Sequence, residues 1–253
     1  MPRKPSVGPP TKAKPAKENY RCALMSDVHG NLAALRAVAA RLADEGPLDH
    51  VVVAGDHLQG GAHPAEVWDF LTAQSWVLVR GNEDDSLFED ALPAERLPAA
   101  YRTAFLAGRN WTRRQVGTTV LEGLAALPEQ WRVPTPAGNL LVVHASPRSI
   151  HDRAGAGHNS FDEVFAAYSG TDAGAIAFGH YHRHFVRQTA FGLLINVASV
   201  GLPLDRRPIA CYTILTARPD GWLVEQHEVP YDPSAEEAAA ARRGLPPWLP
   251  DGS

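Results

Sequence analysis

Five short apolar runs in this chain each lead, within a few residues, to an Asp, Asn or His, and this repeated pattern constrains the fold more than any other feature. The runs are residues 22–25, 50–54, 76–80, 140–143 and 175–178, and the polar residues after them are Asp27 and His29, Asp56, Asn82, His144, and His180 and His182. Apolar runs of this length are typical of buried strands. Functional residues gather at the carboxyl ends of strands in an open α/β sheet. The sequence therefore predicts strands whose ends meet at one site.

The first of these strand ends shows how neighbouring residues can share an ion. Asp27 and His29 are two residues apart, so both side chains can point to the same side of an extended segment. A single Asp-x-His is weak evidence, because any one polar residue can simply mark the end of a strand. Five ends that all carry hard or imidazole ligands favour a metal site. Asn31 is predicted to cap a helix over residues 32–44, whose N-terminus faces the site and favours an anion.

Five ordered blocks of residues carry a resemblance to a known family. They are Ser26-Asp27-Val28-His29-Gly30-Asn31, Gly55-Asp56, Gly81-Asn82-Glu83-Asp84, Val143-His144-Ala145-Ser146-Pro147 and Gly179-His180-Tyr181-His182, spread over roughly residues 21 to 215. In order and spacing the chain resembles the calcineurin-like metallophosphoesterases, and most of all their small bacterial and archaeal phosphodiesterase branch. The resemblance implies an α/β fold in which a two-sheet β-sandwich is flanked by helices, as four αββα layers.

The resemblance also assigns the ligands of two metal ions. One ion is held by Asp27, His29, Asp56 and His182, and the other by Asp56, Asn82, His144 and His180, with Asp56 as the bridge. The number of candidate ligands is larger than one zinc ion needs, and none of them is a thiolate of the kind found in structural zinc sites. They suit two divalent ions, and Mn²⁺ is expected, with Fe, Zn²⁺ and Ni²⁺ as alternatives. Such a pair can clamp a phosphate and generate a bridging hydroxide that attacks phosphorus.

The proton donor for the leaving group is left open by the sequence. Many relatives read Gly-Asn-His-Asp in the third block, where the His assists catalysis, but Glu83 stands at that position here. An ionised Glu83 cannot donate a proton near pH 7 unless burial raises its pKa, and it can instead cap the following helix. His57 is a second candidate donor. Asn82 and Arg148 are candidates for contacting the phosphate oxygens of the substrate.

Composition indicates one domain of ordinary size without a nucleic-acid or membrane signature. The chain has 253 residues and a net charge of −4. We expect a disordered basic and Pro-rich tail over residues 1–19, a single domain over 20–243 and a Pro-rich tail over 244–253. No run is long enough to span a membrane and no secretory signal is apparent, so a cytoplasmic location is expected. Cys22 and Cys211 are interpreted as buried free thiols.

The predicted order of helices and strands indicates which segments surround the site. After the third strand, residues 84–133 are interpreted as a helical insertion with helices over 99–106 and 117–127, and residues 161–168 as a further helix. Beyond His182, four consecutive strands over 185–188, 193–197, 209–215 and 223–229 predict antiparallel hairpins and a second sheet packed against the first. Ser234 to Glu237 is interpreted as a capping box that starts a short helix.

Three functions remain open from the sequence. The leading hypothesis is a metal-dependent phosphodiesterase acting on a small phosphorylated substrate, with nucleotides among the candidates. The alternatives are a phosphomonoesterase or a dinucleoside polyphosphate pyrophosphohydrolase, and a non-catalytic scaffold. Scaffold relatives tend to lose metal ligands, whereas this sequence keeps the full set. Specificity is expected to come from residues 84–133 and 148–160, and homo-oligomerisation is left open.

Overall fold

The computed structural model describes residues 18–88, 99–152 and 166–247. Most of the predicted N-terminal tail, of the 148–160 loop and of the helix at 161–168, and the last residues of the C-terminal tail, lie outside the described residues. The strands are β1 (Tyr20–Met25), β2 (His50–Val53), β3 (Val77–Leu78), β4 (Gln130–Thr135), β5 (Gly138–Val143), β6 (Ala173–Phe178), β7 (His184–Thr189), β8 (Gly192–Val197), β9 (Ile209–Arg218) and β10 (Gly221–Pro230). The helices are α1 (Leu32–Asp44), α2 (Pro64–Thr72), α3 (Asn82–Phe88), α4 (Ala99–Ala125) and α5 (Ser234–Arg243).

The strands form two five-stranded mixed sheets, which confirms the predicted two-sheet sandwich with flanking helices. The first sheet has the order β10-β9-β1-β2-β3 and the second the order β4-β5-β6-β8-β7. Strands β1, β2 and β3 are parallel, as are β5, β6 and β8, while the remaining strands pair antiparallel at the edges. The parallel strands of each sheet therefore end at the same edge.

Alternating side chains along the strands build three apolar layers. In β1, Ala23 and Met25 pack with the buried face of α1, whereas Cys22 and Leu24 pack against the other sheet. This alternation follows from the two-residue period of a strand. A third layer covers the outer face of the second sheet around Tyr168. Both sheets are thus held face to face, and their strand ends come to one rim.

The structure corrects one prediction about the middle of the chain and supports another. Residues 130–133 were assigned to the helical insertion, but they belong to β4, which pairs with β5 from Gln130 opposite Val143 to Thr135 opposite Gly138. Only alternate β4 residues are even partly buried, so its apolar signal is weak. The edge position also explains why Pro134 is tolerated, since an edge strand can do without one donor. Segment α4 comprises two helices that meet at Gly117, where φ is 73° and ψ is 177°, so the predicted division into two helices is confirmed, although the first helix extends beyond residue 106.

The C-terminal strands divide between the two sheets, whereas the sequence suggested that they form the second sheet. Strands β7 and β8 join β6, while β9 and β10 complete the first sheet beside β1. Their predicted antiparallel hairpins are confirmed. The capping box was wrong, because Pro233 occupies the N-cap of α5 and Ser234 lies inside the helix. The predicted N-cap of α1 is confirmed, since Asn31 Oδ1 accepts from the Ala34 amide at 3.0 Å.

Two further findings concern the described residues as a whole. Cys22 and Cys211 are buried and free, as predicted. Within the described ranges, no helix combines the length and apolar character that are needed to cross a membrane.

Candidate metal centre

The seven predicted ligands lie together at the rim where the two sheets meet. Those that follow β1, β2 and β3 come from the first sheet, and those that follow β5 and β6 come from the second. In sequence order they are Asp27, His29, Asp56, Asn82, His144, His180 and His182. Neither sheet carries a complete set, so the site requires the packing of one sheet on the other.

Most of the predicted ligands have a left-handed backbone conformation. Within the described residues, seven non-glycine residues have positive φ, and five of these are predicted ligands. These five are Asp27, His29, Asp56, His180 and His182, with φ between 49° and 66°. Such conformations cost energy in residues that carry a Cβ, and they concentrate at functional sites. The strained backbone conformations therefore occur mainly at residues that are predicted to bind metal.

Close backbone approach explains two glycines of the motifs. A Cβ on Gly81 would collide with Asp56 Oδ1, and a Cβ on Gly179 would collide with Ser26 Oγ and Asp27 Oδ2. At Gly179 the gap also allows the next amide, that of His180, to donate to Asp27 Oδ2 at 2.9 Å. These glycines let the loops that carry the predicted ligands pack against each other.

The first cluster of potential ligand atoms comes from Asp27, His29 and His182, whose atoms lie within 4.8 Å of one another. His29 Nε2 and His182 Nε2 are 3.3 Å apart. Asp27 Oδ1 lies 3.1 Å from His182 Nε2 and 3.7 Å from His29 Nε2. Three potential ligand atoms therefore lie close enough together to bind one ion.

The second cluster comes from Asp56, His144 and His180, again within 4.8 Å. His144 Nε2 lies 3.2 Å from Asp56 Oδ2 and 3.2 Å from His180 Nδ1. Asn82 Oδ1 joins this cluster at 2.8 Å from His144 Nε2. Asp56 Oδ2 is also 4.0 Å from His29 Nε2, so this carboxylate lies between the two clusters.

The protonation pattern of three histidines fits cation binding. His29 Nδ1 donates to the carbonyl of Gln59, His144 Nδ1 to that of Ala54, and His182 Nδ1 to that of Leu202. A neutral imidazole that donates through Nδ1 has its lone pair on Nε2, which is the atom directed into the cluster. Asp27 Oδ1 is buried and accepts no hydrogen bond, although His182 Nε2 is close. The Asp27 carboxylate attracts a positive charge at this position, and either a proton on His182 Nε2 or a metal ion between the two atoms supplies it.

The pKa shifts of the buried Asp and His residues also indicate that the centre attracts cations. Burial by itself would raise the pKa of Asp27 and of Asp56, but the neighbouring His182 and His144 hold both below their ordinary value. Burial would lower the pKa of His144, yet Asp56 and Asp27 raise it. Burial, followed by repulsion from His144, lowers the pKa of His180 to about 3. The carboxylates are therefore ionised, and the centre attracts positive charge.

Glu83 lies beside the centre and does not cap the helix with its side chain. Its amide donates to Asp56 Oδ1 at 2.8 Å, and its Oε1 accepts from Asn82 Nδ2 at 3.4 Å. Oε2 is buried without a partner. Burial raises the pKa of Glu83 well above its usual range, and the charge of Asp56 adds to this. Burial thus shifts Glu83 toward its protonated form, as proton donation requires.

The other two sequence candidates are less well placed for contact with a substrate. His57 is fully buried, and its Nδ1 donates to Asp84 Oδ2 at 2.7 Å. Arg148 is half-exposed and forms two hydrogen bonds with Asp152 Oδ2, at 2.7 and 3.0 Å. The catalytic role of His57 and the phosphate contact of Arg148 stay predictions.

Sequence reasoning assigned no role to three buried polar residues that hold the loops. Asp84 accepts from the amides of Gly81, Asp56 and His57. Ser199 donates to the carbonyl of Asp27, and Asn196 donates to that of Gly179. The signal for Asn196 and Ser199 was present, since they lie at the end of β8, another apolar run with polar residues at its end.

Comparisons with known proteins agree with this geometry. The family model described as the calcineurin-like phosphoesterase superfamily domain matches residues 21–220. An uncharacterized protein of Methanocaldococcus jannaschii is 26% identical in an alignment of 243 positions that covers 90% of this chain and 94% of the relative.

Among solved structures, a metallophosphoesterase from Sphaerobacter thermophilus is similar at 25% identity with a TM-score of 0.67, over 90% of this chain and 95% of that one. A hypothetical protein from Pyrococcus horikoshii shares the fold with a TM-score of 0.76 at 18% identity, over 90% and 94% of the two chains.

Proposed function

Because the chain belongs to the calcineurin-like phosphoesterase superfamily, we propose that it is a metal-dependent hydrolase that cleaves phosphodiester bonds at a pair of divalent ions. Family membership supports hydrolysis of phosphoric esters, and the preference for diesters is the proposal. The observation that carries it is the position of Asp56 between two clusters of potential ligands, 3.2 Å from His144 Nε2 and 4.0 Å from His29 Nε2.

The residues that would hold the ions are those of the two clusters. Asp27, His29 and His182 would hold one ion and Asn82, His144 and His180 the other, with Asp56 shared between them. Mixed imidazole and carboxylate ligands favour Mn²⁺ over Mg²⁺, which prefers oxygen ligands in an octahedral arrangement. When bound, such ions supply Lewis acidity, which lowers the pKa of a water molecule and draws charge from phosphate oxygens.

The side chains around the clusters would orient the substrate and move the proton. Asn82 directs its Oδ1 to His144 and one Nδ2 hydrogen to Glu83, which leaves the second Nδ2 hydrogen to donate to a phosphate oxygen. Glu83 is the better-placed donor for the leaving group, because burial raises its pKa and its Oε2 has no partner. A carboxyl whose pKa is raised by burial and that lies next to Asp56 can deliver its proton to a departing alkoxide.

The proposal extends to the setting of the enzyme. A single domain over residues 20–243 is supported by the family match to 21–220. A cytoplasmic location is supported by two buried free thiols, since thiols persist in a reducing compartment.

The test compares bis(p-nitrophenyl) phosphate with p-nitrophenyl phosphate after treatment with chelator and addition of Mn²⁺. We expect the diester to be hydrolysed with the higher kcat/KM, and no hydrolysis in excess chelator. Asp56→Asn should lower kcat/KM by several orders of magnitude, because it removes the shared carboxylate. A higher kcat/KM for the monoester would contradict the diester preference, and full activity of Asp56→Asn would contradict the shared site.

A further inference from the structure

A cavity of about 490 Å³, here called the His182 cavity, opens beside the first cluster. Its wall includes His182, so the cavity and the candidate metal centre share a side chain. The rest of the lining comes from the start of β7, the loop that contains residues 203–207, and strands β9 and β10. Pockets of ~300–1,000 Å³ typically hold small ligands. The cavity is therefore placed to receive a part of the substrate other than the phosphate at the centre.

The formal charges of the cavity cancel. Arg207 pairs with Asp205 through Nε and Oδ2 at 2.5 Å, and its Nη2 lies 3.6 Å from Glu228 Oε1. Arg183, which directly follows His182, is the second guanidinium and has no ion pair with the residues that the structure describes. Two guanidinium groups thus offset two carboxylates. A subsite for a second phosphate would carry an excess of positive charge, and this one does not.

The lining combines apolar side chains with hydrogen-bond acceptors. Leu204, Pro203 and Ile209 contribute apolar surface, and Leu204 is 55% exposed to solvent. Asp205 and Glu228 offer carboxylate oxygens, which only accept hydrogen bonds when ionised. Guanidinium groups can stack on planar rings. This combination suits a ligand with a flat, weakly polar face and several hydroxyl donors.

We propose that the His182 cavity binds the uncharged, hydroxyl-bearing organic group of the substrate, with a nucleoside as the representative of this class. The inference rests on the proposed function, because it assumes that the scissile phosphate lies at the candidate ions. Asp205 and Glu228 accept hydrogen bonds from the sugar hydroxyls, as an acidic residue does from ribose in dinucleotide-binding folds. The base packs on the apolar and guanidinium surface that Leu204 and Arg183 contribute to the lining.

Two diesters with the same p-nitrophenolate leaving group test the cavity: p-nitrophenyl uridine 5′-phosphate and methyl p-nitrophenyl phosphate. We expect kcat/KM with Mn²⁺ to be about 10-fold or more higher for the uridine ester, the effect of one or two hydrogen bonds to charged groups. Leu204→Ala and Glu228→Gln should bring the ratio of the two kcat/KM values close to one. Equal kcat/KM values in the wild type would overturn the proposal.

Matched controls come from β10, outside the cavity lining. Leu223 is 43% exposed and Glu225 is an exposed acid on the same strand as Glu228. Leu223→Ala and Glu225→Gln should keep the wild-type ratio, and a ratio lowered equally by these controls would overturn the assignment. A 2′,3′-dideoxyuridine ester should lose at least as much as Glu228→Gln does, because it also lacks the hydrogen bond to Asp205, and Glu228→Gln should cause no further loss with this ester. Additive losses would show that Glu228 does not contact the hydroxyls.

Two further measurements separate the possible outcomes. A glycerol ester of p-nitrophenyl phosphate distinguishes sources of hydroxyls: acceleration that Leu204→Ala does not reduce would assign the cavity to small polyols and overturn the nucleoside. If neither the uridine ester nor the methyl ester is hydrolysed, the proposed function fails. Calorimetric binding of uridine 5′-monophosphate then still tests the cavity. Binding that weakens about 10-fold in Glu228→Gln supports it, and binding that is unchanged in both Leu204→Ala and Glu228→Gln overturns it.

Discussion

At the scale of single residues, Asp84 supports the candidate centre without belonging to either cluster. Its carboxylate is fully buried and accepts four hydrogen bonds, from the amides of Gly81, Asp56 and His57 and from His57 Nδ1, at 2.7–2.9 Å. Asp56 has a φ of 56°, which is unfavourable for a residue with a Cβ. The Asp84 carboxylate therefore holds the loop that places Asp56 between the clusters.

We predict that Asp84→Asn lowers both stability and activity. The amide that replaces one carboxylate oxygen cannot accept, so some of the four donors lose their partner. An unsatisfied buried group costs about 1–3 kcal/mol, and we expect a loss of about 2–4 kcal/mol in the free energy of unfolding. The measurement is urea unfolding together with Mn²⁺-dependent hydrolysis of bis(p-nitrophenyl) phosphate. Asp69→Asn, at an exposed position of α2, is the matched control.

The prediction for Asp84 is contradicted by a variant that is as stable and as active as the Asp69→Asn control. A variant that loses stability but keeps its kcat/KM would separate the two effects. It would show that Asp84 supports the fold without positioning Asp56.

At the scale of elements, Glu45 joins the end of α1 to two strands of the first sheet. Its Oε1 accepts from Tyr212 on β9 at 2.7 Å, and its Oε2 accepts from Arg21 on β1 at 2.7 Å. The Tyr212 hydrogen bond, together with Arg21, lowers the pKa of Glu45 in the folded protein. The helix that follows the Asp27 loop is thereby attached to the sheet at its far end.

The lowered pKa predicts how the stabilising effect of Glu45 depends on pH. A carboxyl whose folded pKa lies below its unfolded value stabilises the fold above the unfolded pKa of ~4.3, and this contribution disappears as pH falls through the folded pKa. Glu45→Gln should therefore lower Tm at pH 7 and have progressively less effect as the pH falls below about 4. Thermal unfolding of both proteins from pH 7 to 3 measures this difference. A difference in Tm that stays constant over this range would refute the linkage, and Tyr212→Phe should give a smaller difference of the same pH dependence.

At the scale of the whole molecule, the candidate centre spans the seam between the sheets. Asp27, His29, Asp56 and Asn82 follow strands of the first sheet, and His144, His180 and His182 follow strands of the second. Ions bound by both sets would connect the two sheets. A ligand that binds the folded state and not the unfolded one stabilises the fold by mass action.

We predict that Mn²⁺ raises the Tm of the chelator-treated protein. At a free concentration of 100 times Kd, one site contributes about 2.7 kcal/mol, and Mg²⁺ at the same concentration should contribute less. Asp56→Asn should lose most of this increment because both sites share that carboxylate. Differential scanning calorimetry with and without each ion makes the measurement. A Tm that does not respond to Mn²⁺ would argue against ions at the seam.

Much of the fold followed from local patterns. The apolar runs that lead to polar residues located β1, β2, β5 and β6, and the ordered blocks around them identified the family, because ligands at strand ends must keep their spacing along the chain. Patterning failed for β4, since an edge strand with alternate exposed residues carries a weak apolar signal. It also failed at Ser234, where Pro233 takes the position of the cap.

The sequence by itself determined which residue types are available for a metal site and the order in which they follow the strands. Only the tertiary structure decided how they meet, because β9 and β10 return to the first sheet while β7 and β8 join the second. No local signal contains that choice, since sheet partners are selected by packing between distant segments. The same holds for the raised pKa of Glu83 and for the four hydrogen bonds of Asp84. Both depend on burial and on neighbours that are distant in the chain, and folding alone brings these together.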